Sequence, residues 1–163
     1  MFESLSAVKW AKLKDTQGRS GAWIPTELKA LTTNASATRR EQALAKLTDA
    51  LTFDGDMIDR VSVETLPFLV EALGAKQTKD ASLVLALLCD LACTGSHLHF
   101  ATTGWDSKRD RTPIVGKLTV AQVRAPVIAA APAITALLDS RMPAVRATAA
   151  HLLGFLPEMQ QQS

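Results

Sequence analysis

Metal-binding side chains occur at short intervals in one stretch of the chain: Cys89, Cys93, His97 and His99. Cys89 and Cys93 are one helical turn apart, so both thiols would lie on the same side of a helix and could share a metal ion. Zinc sites more often place two cysteines on a turn with two residues between them. A small thiol buried in a helical core is the alternative for Cys89. We therefore assign no metal ligand and no cofactor, and a metal ion at these four residues stays an open question.

Three aspartates cluster in a short stretch near the middle of the chain: Asp54, Asp56 and Asp59. The stretch is not a calcium loop, because the other ligand positions and the closing glutamate are missing. It is either a solvated turn or an acidic patch that steers a basic partner towards the protein. Both interpretations stay open, and we take the three aspartates together with Glu64 as candidate binding residues.

A tryptophan beside a basic run supplies a second candidate set: Trp105, Lys108, Arg109 and Arg111. Tryptophan and arginine are enriched among the residues that dominate binding energy at protein interfaces. The set falls in a segment, 95–118, that we expect to be a long loop, and such loops are uncommon in compact domains unless they are functional or disordered. The segment either binds a partner or is a disordered loop whose tryptophan packs on a neighbouring helix.

Composition limits the class of protein. The chain has 163 residues, of which 47% are hydrophobic and 21% charged, which is too apolar for disorder and too charged for a membrane protein. Two cysteines are too few for a disulfide scaffold, and the sequence has no signal-peptide pattern. We expect a single cytoplasmic domain.

Charge is distributed unevenly along the sequence. Residues 1–50 carry +3, residues 51–100 carry −4 and residues 101–163 carry +3, giving a net charge of +2. A strong basic excess on one face, which nucleic-acid binding needs for phosphate neutralisation, is not apparent. The sequence also has no nucleophile elbow, phosphate-binding loop or metalloprotease helix. We therefore predict a protein that is not an enzyme.

Three segments of the sequence resemble one another. A shift of 42 residues maps Pro25 onto Pro67 and Leu47 onto Cys89, and a shift of 106 maps Arg40 onto Arg146 and aligns most of the apolar positions of the third segment. Each segment has a proline, apolar residues at steps of three and four, a polar turn and a second apolar stripe. Each unit is therefore predicted to be a pair of helices, and the fold to be all-α.

Local signals support the helix ends and the roles of a few side chains. Thr38 with Glu41 and Thr119 with Gln122 fit capping boxes, and Pro143 fits the first turn of a helix. Gly74 and Gly95 stand where left-handed helix ends are common. We expect Arg40 and Arg146 to bond nearby turn carbonyls, Trp10 and Trp23 to cover the apolar end of the first unit, and His151 to be packed rather than catalytic.

The third unit resembles a HEAT repeat. That family has a proline in the first helix, an aspartate at the turn and Val-Arg at the start of the second helix; Pro132, Asp139 and Val145-Arg146 match these positions. The first unit keeps Pro25 and Arg40 but has Asn34 near its turn. The second keeps Pro67 and has Ser82 in place of the arginine.

The resemblance extends to small bacterial HEAT-like proteins. Their N-terminal segment is similar to Trp10, Gly18, Gly21-Ala22 and Pro25 here, and their second unit to Leu66-Pro67-Phe68-Leu69. It implies an α-solenoid of about three helix pairs with an N-terminal capping helix and a long loop insertion. The expected division is a cap (1–23), repeat 1 (24–51), repeat 2 (64–94), an insertion loop (95–118), repeat 3 (119–157) and a tail (158–163).

The resemblance also implies a function, since solenoids present a concave surface to other macromolecules. Some HEAT-like proteins of bacteria are immunity proteins, so the first hypothesis is a protein that occludes a toxin or another protein partner. The alternative is a DNA glycosylase for alkylated bases, although nucleic acid is not expected here because no basic stripe follows the second helices. Attachment of bilins, which some HEAT-like proteins carry out, ranks last.

Overall fold

The computed structural model describes the backbone of residues 2–52, 60–75, 78–104 and 120–161, and the side chains of residues 2–52, 60–75, 78–92, 122 and 125–156. These ranges contain seven α-helices: α1 (Ile24–Thr32), α2 (Ala37–Thr52), α3 (Arg60–Gly74), α4 (Ala81–Gly104), α5 (Val120–Ala129), α6 (Ala131–Ala136) and α7 (Pro143–Gln161). They contain no β-strand, and an isolated bridge joins Lys14 to Ser20. The predicted all-α fold is confirmed.

The helices contact one another as successive pairs. α1 packs on α2, α3 on α4, and α5 and α6 on α7. The second helices also form a row, because α4 contacts α2 on one side and α7 on the other. The first helices form another row, since α3 contacts both α1 and the α5–α6 segment. Each helix is thus fixed by its pair partner and by its neighbours in the same row.

Helix α4 lies in the middle of this arrangement, and its apolar composition suits a position with neighbours on several sides. Residues buried there occur on several sides of the helix rather than on one stripe, as expected for a helix surrounded by α2, α3 and α7. The buried residues are Val84, Leu85, Leu87, Leu88, Cys89, Leu91 and Ala92. Among the described residues, no helix is both long and apolar enough to cross a membrane.

Both repeat arginines do what their position predicts. Arg40 donates from Nη1 to the carbonyl oxygen of Ala35, and Arg146 donates from Nη1 to the carbonyl oxygen of Ser140 at 2.7 Å. Each bond ties the second helix of a pair to the turn before it. The helix cap is different from the prediction: Ser36, not Thr38, caps α2, with its Oγ accepting from the amide of Arg39 at 3.2 Å.

The N-terminal segment forms three short 3-10 helices (Glu3–Ala7, Trp10–Lys12 and Gly21–Trp23) where one capping helix was expected. Its aromatic residues reach the second unit as well as the first. Phe2 and Trp10 pack on Phe68 of α3 with ring centroids 6.1 and 5.8 Å apart. Trp10 Nε1 donates to the carbonyl oxygen of Leu5 at 2.7 Å, so this buried indole is satisfied.

Several helices begin or end at residues other than those expected from the sequence. α3 begins at Arg60, so Pro67 lies inside it, with its ring on the exposed side, where a missing N–H costs one helical bond. α4 passes through Gly95 and ends at Gly104, so the first ten residues of the expected loop are helical. α7 continues into the expected tail as far as Gln161. α3 ends at Gly74 as predicted, but without a left-handed residue.

Candidate functional site

The structure places few of the predicted site residues. Glu64 lies on α3, half-buried, and its Oε1 accepts a hydrogen bond from Arg60 Nε at 3.3 Å, one turn away on the same helix. Exposed pairs of this kind contribute little to stability or binding. The other predicted residues lie outside the described residues: Asp54, Asp56, Asp59, Trp105, Lys108, Arg109 and Arg111.

The possible metal ligands are placed only in part. Cys89 is 9% exposed and belongs to the hydrophobic core of α4, as its repeat position predicts. Cys93, His97 and His99 lie on the α4 backbone, but their side chains are outside the described residues. Within the described part of the chain, no three metal-binding side chains come together.

A surface that the sequence analysis did not select runs across the three second helices. Each of these helices packs on its pair partner, and α4 also packs on α2 at one side and on α7 at the other. Each helix keeps a set of exposed or half-buried residues on a further side. The residues on that further side are Glu41, Ala45 and Thr48 of α2, Leu83, Ala86 and Asp90 of α4, and Ala147, Ala150, His151 and Gly154 of α7. We call this surface the α2–α4–α7 face.

One hydrogen bond on this face joins two residues that the sequence shift aligns. Thr48 Oγ1 donates to Asp90 Oδ2 over 3.5 Å, and the two residues are 42 positions apart, which is the shift that aligns the first two units. A side chain on α2 therefore contacts the residue of α4 that the 42-residue shift aligns with it. The same alignment relates Thr48 to Gly154 on α7.

Asp90 has the most distinctive electrostatic position on the face. It is the single Asp, Glu, Lys or Arg in the 24 residues of α4, and it is exposed between the apolar sides of the helix. Neighbouring atoms remove part of its hydration, which raises its pKa above the ordinary value for an aspartate, while the hydrogen bond from Thr48 opposes the shift. The charged form of Asp90 is therefore less stable in the folded chain than in water.

Charged residues on the opposite side of α2 form ion pairs within the fold. Glu27 of α1, with 8% of its side chain exposed, bonds Arg39 Nη1 at 2.5 Å and Lys46 Nζ at 3.5 Å. Burial tends to raise the pKa of Glu27, but the bond and charge of Arg39 and the charge of Lys46 outweigh it and hold the pKa below its ordinary value.

A second closed network joins the N-terminal segment to the end of α2. Buried Asp15 accepts from the amide of Arg19 at 2.8 Å and from Arg19 Nε at 2.6 Å, and Arg19 also reaches Asp49 at 3.2 Å. Gly18, with a φ of +77°, allows the tight turn that brings these groups together. These ion pairs and hydrogen bonds fasten the N-terminal segment to the end of α2 and have a structural role.

The α2–α4–α7 face has the chemistry of a contact surface. Small side chains on α2 and α7 let another backbone approach closely, and two carboxylates, Glu41 and Asp90, supply its formal charge, since no Lys or Arg is among its residues. The sequence analysis did not find this surface because it used the apolar stripes to identify the buried side of each helix and did not consider which residues remain exposed. A signal for Asp90 was present in the sequence, since it is the single Asp, Glu, Lys or Arg in the stretch that forms α4.

Comparisons of this chain with protein-family models, with curated proteins and with solved structures gave no match.

Proposed function

We propose that the chain is a HEAT-like α-solenoid of three helix pairs that works as a non-catalytic protein-binding module. Two observations support the solenoid. The first helices of the pairs form one row and the second helices another, and Thr48 contacts Asp90, the residue that the 42-residue shift aligns with it. In its specific form, the protein is an immunity or inhibitor protein that occludes a toxin or another protein partner with its second-helix row.

The observation that carries the proposal is the composition of the α2–α4–α7 face. Ala45, Ala147 and Ala150 are exposed there on two different helices, and their small side chains leave room for another chain to approach the helix backbones closely. The face spans three helices that are braced from behind, so it is a rigid platform. Rigid surfaces bind more tightly because little conformational entropy is lost on association.

The test is co-purification with the products of the neighbouring genes, followed by substitutions that block the face. Ala45→Arg and Ala150→Arg place a long side chain on exposed positions and keep good helix propensity. Both variants are expected to weaken binding at least about tenfold, a loss typical of a contact that is fully disrupted. Ala136→Arg, on exposed α6 of the other row, is the matched control and is expected to bind normally.

Two results would contradict the proposal. If Ala45→Arg and Ala150→Arg bind a co-purified partner as well as the parent chain does, the face is not the binding surface. If the purified chain binds and neutralises no neighbour-encoded toxin, the immunity form is wrong, and only the general module remains.

A further inference from the structure

The N-terminal segment is held to the helices unevenly along its length. Residues 2–8, which we call the N-terminal strap, precede a part that is bonded to the end of α2. We infer that the strap opens from α3 while the rest of the fold stays closed, and that it covers a docking site for an aromatic side chain of a partner protein. The site lies in the first-helix row, so the inference goes beyond the proposed function, which concerns the α2–α4–α7 face.

The first step is the way in which the strap is bonded to the rest of the chain. Among the described residues, Phe2 N donates to Glu71 Oε1 of α3 at 2.7 Å, and Trp10 Nε1 donates to the carbonyl oxygen of Leu5 at 2.7 Å. The amide of Trp10 also donates to the carbonyl oxygen of Val8, but this bond spans only two residues. The strap itself is a short 3-10 helix, whose hydrogen-bond geometry is poorer than that of an α-helix.

The second step is the contrast with the residues that follow the strap. The amide of Thr16 donates to the carbonyl oxygen of Ala50 at the end of α2, at 3.0 Å. Arg19 bridges Asp15 and Asp49 by ion pairs of 2.6 and 3.2 Å. This part is therefore joined to α2 through its main chain and through charged groups. Segments with few such bonds open with less free energy than the fold as a whole.

The third step is the backbone of Phe2. Its φ of +68° and ψ of 32° lie in the left-handed region, and it is the one non-glycine residue with a positive φ among the described residues. A bulky residue keeps this conformation only where its surroundings impose it. The surroundings here are the buried contact with Phe68, whose ring lies edge-on to that of Phe2 at 6.1 Å. Opening the strap releases the backbone strain at Phe2.

The fourth step is what the strap covers. Phe68 of α3 is 4% exposed, and its ring contacts both Phe2 and Trp10. Trp10 follows the strap and packs on Phe68 with ring centroids 5.8 Å apart. When the strap opens, these two rings therefore lose the aromatic neighbour that Phe2 supplies. Aromatic rings pack edge to face with a gain beyond their buried area, so an aromatic side chain suits this place better than an aliphatic one.

Native-state hydrogen exchange of the full chain tests the opening. The amide of Leu5 bonds the carbonyl oxygen of Phe2 at 3.2 Å and reports on the strap, and the amide of Thr16 reports on the part joined to α2. Relative to its intrinsic rate, Leu5 should exchange at least about tenfold faster than Thr16, since local opening precedes global unfolding. Equal protection of the two amides would mean that the strap opens only with the whole fold, and the inference would be wrong.

Two substitutions separate the ring of Phe2 from its backbone. Phe2→Ala and Phe2→Gly both remove the contact with Phe68, so exchange at Leu5 should become faster while exchange at Thr16 stays the same. Glycine adopts the left-handed conformation without strain, so Phe2→Gly should protect Leu5 better than Phe2→Ala does. Ser6→Ala, at an exposed position of the strap, is the control and should behave as the parent chain. Equal acceleration at Leu5 and Thr16 would contradict an independent strap.

A peptide tests the docking site. Acetyl-Phe-Glu-Ser-Leu-Ser-Ala-amide repeats residues 2–7 and is titrated into the full chain carrying Phe2→Ala. Chemical-shift changes are expected at Phe68 and along α3, and the twin peptide with Ala in place of Phe should bind at least about tenfold more weakly, as expected for loss of a buried aromatic anchor. Equal binding of the twin, or no change on α3, would overturn the docking site. These outcomes do not depend on Ala45→Arg or Ala150→Arg, so the inference can fail while the proposed function stands.

Discussion

Glu27 and Asp90 are carboxylates that both lose hydration on folding, yet their pKa values move in opposite directions. Glu27 lies between α1 and α2, where Arg39 and Lys46 hold its pKa down. Asp90 lies on the α2–α4–α7 face, where desolvation outweighs the Thr48 hydrogen bond and raises its pKa. The first region uses a carboxylate to hold two helices together. In the second, partial desolvation of the carboxylate disfavours its charged form.

The largest expected effect comes from opening the Glu27 site. Arg39→Met removes the closest cation and leaves a buried carboxylate with Lys46 as its remaining ion-pair partner. Breaking such a pair destabilises by about 1–2 kcal/mol, a value discounted because Arg39 is one-third exposed. Urea unfolding at pH 7 measures the change. Lys46→Met, which removes the longer and more exposed contact, is the control and should cost clearly less.

The pH dependence of the Glu27 site gives the next effect. Because the folded-state pKa of Glu27 is lowered, its contribution to stability is complete above the ordinary value of 4.5 and is lost as the pH falls through the folded-state pKa. Glu27→Gln should therefore be less stable than the parent chain at pH 7, and the gap should close in acid. A gap that stayed constant across this range would show that the carboxylate charge at Glu27 does not matter.

Asp90→Asn should have a smaller effect of opposite sign. Because the folded-state pKa is raised, the charge on Asp90 begins to oppose folding as the pH rises through the ordinary value of 3.8 and does so fully above the folded-state pKa. The neutral amide should therefore raise the melting temperature slightly at pH 7. The advantage should vanish below the ordinary value of 3.8, where the parent aspartate is also protonated. A lower melting temperature at pH 7 would mean that Asp90 is a structural charge like Glu27.

Much of the framework could be predicted from sequence, because helical periodicity is a local property. The first pair, expected over 24–51, occupies 24–52, and the shared Arg40 and Arg146 predicted two bonds of the same kind. Helix ends were less predictable, since α3 tolerates Pro67 in its middle and α4 continues through Gly95. In both helices, packing in the row outweighs the local signal.

The site was harder to predict because it depends on which sides of the helices remain open after packing. The packing of Phe2 and Trp10 against Phe68 joins residues more than fifty positions apart, and no local pattern indicates it. The contact between Thr48 and Asp90 was implicit in the 42-residue shift. That both residues lie on an exposed surface of the second-helix row could be seen only in the structure.

The most direct test of the account is a ¹³C-detected titration of the side-chain carboxyl groups in the full chain. The account predicts that the pKa of Asp90 lies above the ordinary aspartate value and that the pKa of Glu27 lies below the ordinary glutamate value. An Asp90 pKa at or below the ordinary value, or a Glu27 pKa at or above it, would contradict the division between a desolvated carboxylate on the α2–α4–α7 face and an ion-paired one between α1 and α2.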